Sequence, residues 1–303
     1  MSCEAPAKNH QFKEAVIALP YTAPLDWKSL LNVFKSHRLT PIETISETTY
    51  ERVFRMGDSL GALRVSHHAS EPQLILQVFT DNQAVIAMVK QKVRKMFDLD
   101  AQYAAFATRF TQHPLLGALW MDWPGQRLAS GWDVFETSVN TILGQLVSVK
   151  RAQALMKQLI ELYGEKVIHP VTGEQTYLFL SPETLAHADL TPLGTTQARK
   201  KTLKEFSRRV AKKEIDLSCE DIASLKEKLL EIPGIGPWSV EYIALRALGD
   251  ADSFPATDLG IKRVLEKYPD LEIEELRPYR SYVAVCLWKQ YLKLSLNPKG
   301  ETS

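Results

Sequence analysis

Apolar and polar residues alternate along three short stretches near the start of the chain, 48–56, 62–68 and 74–79, with Gly57, Gly61 and Pro72 interrupting them. Alternation with period two turns one side of each stretch toward a core and the other toward water. The glycine and proline breaks favour tight reversals, so the pattern predicts an antiparallel meander. The flanking segments have a different rhythm. Residues 26–37 and 82–97 carry apolar positions at helical spacing, the second with Val85, Met88, Val89, Val93 and Met96, which completes a small α+β unit. From residue 103 onward the pattern is almost wholly helical, with loops at His113-Pro114, Trp123-Pro124-Gly125, 169–173 and 191–196. No internal repeat or low-complexity segment stands out.

One break in the helical region carries chemistry. Residues 222–231 place Ile222, Leu225 and Leu229 on one helical face, and Pro233 stops that helix. Gly234 and Gly236 are free to take backbone angles closed to other residues, and Pro237 suits the first position of a new helix over 238–248. The predicted unit is helix, tight turn, helix. Its second helix begins with unpaired N–H groups and the positive end of the helix dipole, which suit a phosphate without reading any base. A tight link between two core helices would show the same glycines.

Trp238 and Tyr242 are four residues apart, so both rings share one face, where a base could lie against them or a core could bury them. Downstream, Asp258 opens another apolar-periodic segment and has the position of an N-cap. Capping and catalysis are compatible roles for one carboxylate.

At this point the chain resembles the helix-hairpin-helix superfamily of base-excision DNA glycosylases, and within it the DNA-3-methyladenine glycosylase II family. The likeness runs from about residue 20 to about residue 290. It rests on the hairpin Ile232-Pro233-Gly234-Ile235-Gly236, on Asp258, on the stretch from Val134 through Ile142-Leu143-Gly144-Gln145-Leu146-Val147-Ser148, and on Arg277-Pro278-Tyr279-Arg280-Ser281-Tyr282 with Leu287-Trp288. The resemblance implies an amino-terminal antiparallel-sheet domain like the TATA-binding protein over 1–102, followed by two all-α domains within 103–303. One of these spans about 130–250 and bears the hairpin; the other combines 103–129 with 251–303. They would face one cleft, with Asp258 and Trp238 on opposite sides.

The same resemblance assigns roles. Asp258 is the catalytic carboxylate; Trp238, Tyr242 and Trp288 line the base pocket; Leu146 is the wedge that fills the gap in the duplex; Gly234, Ile235 and Gly236 hold the DNA backbone. The residue types suit that chemistry. A base inside a duplex must be rotated out, and an apolar wedge offsets part of the lost stacking. N-alkylated purines are cationic, leave readily, and are drawn to aromatic faces by about 0.5 to 2 kcal/mol. A carboxylate stabilises the positive charge that grows on the sugar as the bond breaks.

Absences narrow the expectation. Bifunctional members of the superfamily carry a lysine after the hairpin that attacks the sugar, and Trp238 stands there instead, so strand nicking is not expected. Cys3, Cys219 and Cys286 are too scattered for an iron–sulfur cluster, a zinc site or a disulfide framework. No metal is assigned, the adjacent His67 and His68 pointing to opposite faces of a strand; the family likeness allows a monovalent cation on hairpin carbonyls.

Net charge is +1 in 303 residues, so phosphate affinity must come from local clustering. The cluster Arg199, Lys200, Lys201, Lys204, Arg208, Arg209, Lys212 and Lys213 is left out of the site, because a solvated helix face explains it equally well. No apolar run approaches the roughly 20 residues of a membrane span, and the start lacks a signal peptide, so a bacterial cytosol is expected. The expected partner is double-stranded DNA containing alkylated bases, bound by a monomer.

Two alternatives stay open. Pro237 and the small Leu259-Gly260 depart from the family pattern, which points to deaminated or oxidised bases. A non-catalytic damage-binding module would use Asp258 as a cap only.

Overall fold

The structure, a computed structural model, describes residues 12–219 and 221–296. Cys3 and the start of the chain lie outside them, as do the outer ends of the predicted first and last units.

Five antiparallel strands form the amino-terminal sheet: β1 (Lys13–Pro20), β2 (Glu43–Ile45), β3 (Thr49–Met56), β4 (Ser59–His67) and β5 (Gln73–Thr80), in spatial order β1-β5-β4-β3-β2. The three strands of the predicted meander are the last three. β2 is too short for alternation to register, and β1 is an edge strand wetted along most of its length.

In β5 every second residue turns inward, so Leu74, Leu76 and Val78 are fully buried. They share a core with Leu30, Leu31 and Phe34 of α1 (Trp27–Ser36) and with Val89, Val93 and Met96 of α2 (Ile86–Met96). Burying each such side chain stabilises the fold by about 1.5–3 kcal/mol. Asp26 caps α1 by accepting from the Ser29 N–H at 3.0 Å, and a 3-10 turn at Gln83–Val85 leads into α2. Met88, expected among the apolar positions of α2, is 48% exposed and turns away from this core. Ala129 and Trp132, from well beyond the predicted first unit, help to close it.

The helices that follow are α3 (Tyr103–Gln112), α4 (Leu116–Met121), α5 (Val134–Gly144), α6 (Val149–Tyr163), α7 (Pro182–His187), α8 (Gln197–Ala211), α9 (Ile222–Leu230), α10 (Pro237–Ile243), α11 (Leu259–Leu265) and α12 (Arg280–Leu296). A hairpin, β6 (Glu165–Ile168) with β7 (Gln175–Leu178), corrects the expectation of an almost wholly helical region. Its strands are short and mostly wet, so they carry little alternation, but Leu178 packs against Val53 and Ala62 on the back of the sheet.

Two further cores organise the helices. One gathers Phe135 to Ile160 with Phe206, Leu225, Leu229, Val240 and Ile243, and takes Leu39 and Ile42 from the amino-terminal part. The other joins Phe106, Phe110 and Trp120 to Phe254, Ile261, Val264 and residues 282–287, so the chain leaves this core and returns to it. A buried ion-pair cluster fastens the sheet to the helices. Arg52 of β3 donates to Glu136 of α5 at 3.0 Å and to Glu43 of β2 at 3.1 Å, and the Tyr50 hydroxyl also donates to Glu43 at 2.6 Å. Burial pushes the Glu136 carboxyl upward while Arg52 opposes it. Removing one partner would strand charge in the interior, at a cost of about 3–5 kcal/mol. Among the described residues no helix is long and apolar enough to cross a membrane.

Candidate active site

The hairpin forms because its apolar residues are pulled inward at both ends of the turn. Ile232 and Ile235 are buried, and the Ile235 N–H donates to the Ile232 carbonyl at 3.0 Å. Gly234 has φ 93°, and a Cβ there would lie 2.2 Å from Thr202 Oγ1, which itself donates to the Pro233 carbonyl at 2.8 Å. Only glycine fits that position. Gly236 differs from expectation: its φ of −106° is open to any residue, and nothing lies within 4 Å of a Cβ added there. Its advantage over other residues is an open approach to the backbone. Pro237 then starts α10, which runs into a π-turn at Ala244–Leu248 and ends at Gly249 in the left-handed region, φ 67°.

On α10 the rings of Trp238 and Tyr242 stack at 4.9 Å with 23° between their planes. Trp288 of α12 meets Tyr242 at 5.7 Å and 64°. The three predicted pocket residues therefore converge. Asp258 caps α11, its Oδ1 accepting from the Gly260 N–H at 2.9 Å and the Ile261 N–H at 3.2 Å. Oδ1 also accepts from Trp288 Nε1 at 3.0 Å, while Oδ2 accepts from Trp238 Nε1 at 2.9 Å. One carboxylate thus ends a helix and joins two aromatic walls. Trp238 lies on α10, which packs in the core of Val240 and Ile243, and Asp258 opens α11, which packs in the core of Ile261 and Val264, so the two side chains meet between those cores.

Leu146 follows α5 in a loop with φ 53°, and its side chain is fully exposed (103%). An apolar side chain held in the left-handed region and entirely in water gains nothing from packing, at a backbone cost of about 1–2 kcal/mol. The preceding residue braces it. Gln145 Nε2 donates to the Gly234 carbonyl at 2.9 Å and to Ser239 Oγ at 2.8 Å, and its own carbonyl accepts from Arg199. The wedge loop and the hairpin are one connected unit.

Three residues at this site were given no role from the sequence. Gln145 is one. His37, at the end of α1, reaches Tyr242: its Nε2 lies 2.7 Å from the Tyr242 hydroxyl and its Nδ1 2.9 Å from the Val33 carbonyl. Burial first, and then the charge of Arg246, hold the imidazole down to about 4. Arg246, on the π-turn, is buried with its guanidinium carbon 5.0 Å from the Trp288 ring centre and 5.8 Å from that of Tyr242. Apart from Arg246 and Tyr242, four residues apart on one helical face, these contacts join residues too distant in the chain to leave a local pattern.

Elsewhere the chemistry is plainer. Lys200 is buried on the Thr191 carbonyl, and Arg208 and Arg209 pair with Glu205, Glu214 and Glu231, so these two arginines of the basic cluster are neutralised within the protein. His67 meets the Tyr21 hydroxyl, whereas His68 accepts from the Ser70 and Glu71 N–H groups. Among the described residues no group of His, Cys, Asp and Glu could hold a metal ion. A cleft of about 880 Å³ lies away from Asp258, lined by Arg52, Lys92, Trp132 and Cys219 among others. Its lysine and arginine contacts are largely structural, Lys92 donating to the Trp132 carbonyl at 3.0 Å.

Comparison with known proteins adds an independent line. The model described as the AlkA N-terminal domain matches residues 16–133, and that described as the HhH-GPD superfamily base excision DNA repair protein matches residues 139–272. The chain is 31% identical over 284 residues to a probable bifunctional transcriptional activator/DNA repair enzyme AlkA of Mycobacterium tuberculosis, covering 90% of this chain and 56% of that protein. It therefore spans little more than half the length of that relative. It is 27% identical over 281 residues to DNA-3-methyladenine glycosylase 2 of Escherichia coli, covering 89% of this chain and 95% of that one. The fold is shared with the solved 3-methyladenine DNA-glycosylase of Archaeoglobus fulgidus, with a TM-score of 0.76 at 18% identity over 92% of this chain and 99% of that one.

Proposed function

This chain belongs to the HhH-GPD superfamily of base excision DNA repair proteins and carries an AlkA N-terminal domain, and from that membership we propose that it is a monofunctional DNA glycosylase for alkylated purines such as 3-methyladenine. The observation that carries the proposal is the position of Asp258, held by Trp238 and Trp288 among stacked aromatic rings. The braced and exposed Leu146 and the open backbone at Gly236 support double-stranded DNA as the partner. Three apolar cores support three units, for which we keep the bounds 1–102, about 130–250, and 103–129 with 251–303, although Ala129 and Trp132 pack with the first core, Leu39 and Ile42 with the second and Leu245 with the third.

In this reading the hairpin holds the phosphate backbone, Leu146 enters the stack, and the damaged nucleotide turns out toward the rings. The bond between the sugar C1′ and the base nitrogen breaks with its electron pair going to the base, which neutralises the cationic purine. Asp258 stabilises the charge left on the sugar and orients a water, whose oxygen bonds to C1′ as one of its protons passes to the Asp258 carboxylate and from there to bulk water. Trp238 stands where an amine nucleophile would be needed for strand nicking, so the product is an intact abasic strand. The enzyme acts as a monomer in the cytosol, and this hydrolysis requires no redox cofactor. The carbonyls of Ile232, Pro233 and Gly234 each already accept a protein donor, so a monovalent cation there would share them or displace Gln145.

The test is release of free 3-methyladenine from alkylated duplex DNA, with a parallel gel for strand breaks. Release without breaks is expected; nicking of the sugar–phosphate strand by the purified protein would overturn the monofunctional reading. A second reading, a glycosylase for deaminated or oxidised bases, is favoured by Arg246. Its charge already lies over the faces of Trp288 and Tyr242 and opposes a cationic base there. Preferential excision from duplexes bearing hypoxanthine or 8-oxoguanine would establish it.

A further inference from the structure

His37 belongs to the amino-terminal domain, yet it is the hydrogen-bond partner of a ring on the hairpin's second helix. Its position is rigid. Asn140 Nδ2 donates to the His37 carbonyl at 3.1 Å, and Gln153 Nε2 donates to the Lys35 carbonyl at 2.7 Å, so α5 and α6 hold the end of α1 from the other side.

The two ring nitrogens are not equivalent. Nδ1 faces the Val33 carbonyl at 2.9 Å, and a carbonyl only accepts, so Nδ1 carries the proton. A neutral imidazole then has a bare lone pair on Nε2. Burial and the nearby Arg246 guanidinium keep it neutral near pH 7, with the imidazole held down to about 4. The Tyr242 hydroxyl, 2.7 Å away, must therefore donate its single proton to Nε2. Only lone pairs remain on the other side of that oxygen.

We propose that His37 is a specificity-determining positioning residue, which makes the Tyr242 hydroxyl an acceptor-only edge of the base pocket. Tyr242 stacks on Trp238 and meets Trp288 edge-on, so its oxygen sits at the rim of the rings that would receive a flipped base. A purine presenting an exocyclic amino group at this rim finds a partner. A purine presenting a carbonyl there meets a second acceptor, and both groups lose their hydrogen bonds to water without replacement. The proposal deepens the glycosylase reading and rests on it: amino-bearing damaged purines are favoured over their deaminated, oxo-bearing counterparts.

The experiment measures binding of two free bases, 3-methyladenine and 3-methylhypoxanthine, which differ at C6 by amino against oxo. Quenching of tryptophan fluorescence reports binding without requiring catalysis. The full chain is compared with His37→Phe, which removes the acceptor and frees the hydroxyl to rotate, and with His37→Arg, which can only donate and so turns the tyrosine proton toward the pocket. The wild type is expected to prefer 3-methyladenine by about tenfold, His37→Phe to bring the two within about threefold, and His37→Arg to reverse the order. A merely structural His37 would weaken both bases together and leave their ratio unchanged. Equal binding of both bases by the wild type, or a ratio unchanged in both variants, overturns the proposal while leaving the base pocket standing. No quenching by either base in the wild type overturns the base-pocket reading, and this proposal with it.

Discussion

The indole N–H of Trp238 donates to Oδ2 of Asp258 at 2.9 Å, which leaves Oδ1 to accept the two backbone N–H groups that open α11. Oδ1 carries the cap and also accepts the Trp288 indole N–H at 3.0 Å, so cap and pocket share that oxygen while Oδ2 holds Trp238. In Asp258→Asn the amide oxygen can keep the cap, while the amide nitrogen faces the Trp238 N–H, donor against donor. Base release is expected to fall by at least about 100-fold, with a Tm within about 5 °C of the wild type. Asp258→Ala also loses the cap, which lowers stability by about 1 kcal/mol. Release assays beside thermal unfolding separate the effects, and normal release by Asp258→Asn would remove the carboxylate from the mechanism.

The two hairpin glycines make opposite demands. Gly234→Ala forces a side chain into the left-handed region and against Thr202, so a loss of about 1–3 kcal/mol in stability is expected together with weaker DNA binding. At Gly236 the backbone angles are ordinary and the space is empty. Gly236→Ala should leave urea unfolding within about 0.5 kcal/mol of the wild type but weaken DNA binding by roughly tenfold, because a methyl group blocks close approach of a phosphate. Unchanged affinity in Gly236→Ala would mean that DNA does not lie against this turn.

Leu146→Ala removes an apolar side chain that packs against nothing when the protein is free. Stability should therefore stay within about 0.5 kcal/mol. Base release from duplex DNA is expected to drop by about tenfold or more, whereas release from an unpaired damaged base, which needs no wedge, should drop less. Equal effects on paired and unpaired substrates would argue against a wedge.

The depressed His37 also marks the stability profile. Its imidazole titrates at about 4 when folded against an ordinary 6.5, so between those values the unfolded chain holds a proton that the folded one lacks. Stability is lost as pH falls from 6.5 toward 4, and His37 contributes no pH dependence above that window. Because one side of the ring reaches the pocket, the loss should be about 1–3 kcal/mol. Urea titrations at pH 7 and pH 4.5 are expected to show a smaller difference for His37→Phe than for the wild type. The same difference in both would assign the acid sensitivity to another group.

Helical spacing, the Pro-Gly-Ile-Gly-Pro turn and the cap position of Asp258 were readable because each reports on neighbours within a turn or two of the chain. Local backbone geometry and the identity of the residue are enough to specify them. The shared face of Trp238 and Tyr242 was readable from their spacing of four, the place of Trp288 beside them came from family likeness, and the indole contacts with Asp258 came from neither. Edge strand β1 and the β6–β7 hairpin went unread because wet, short strands impose little alternation. What only the tertiary structure decided was which groups become partners across the chain: His37 with Tyr242, Gln145 with Gly234, and Arg246 with the ring face of Trp288. The contrast between Gly234 and Gly236 belongs there too, since it depends on Thr202 standing beside one and empty space beside the other. A single side chain carries no record of a partner that long-range packing delivers, because burial of the three cores, rather than any polar motif, brings those helices together.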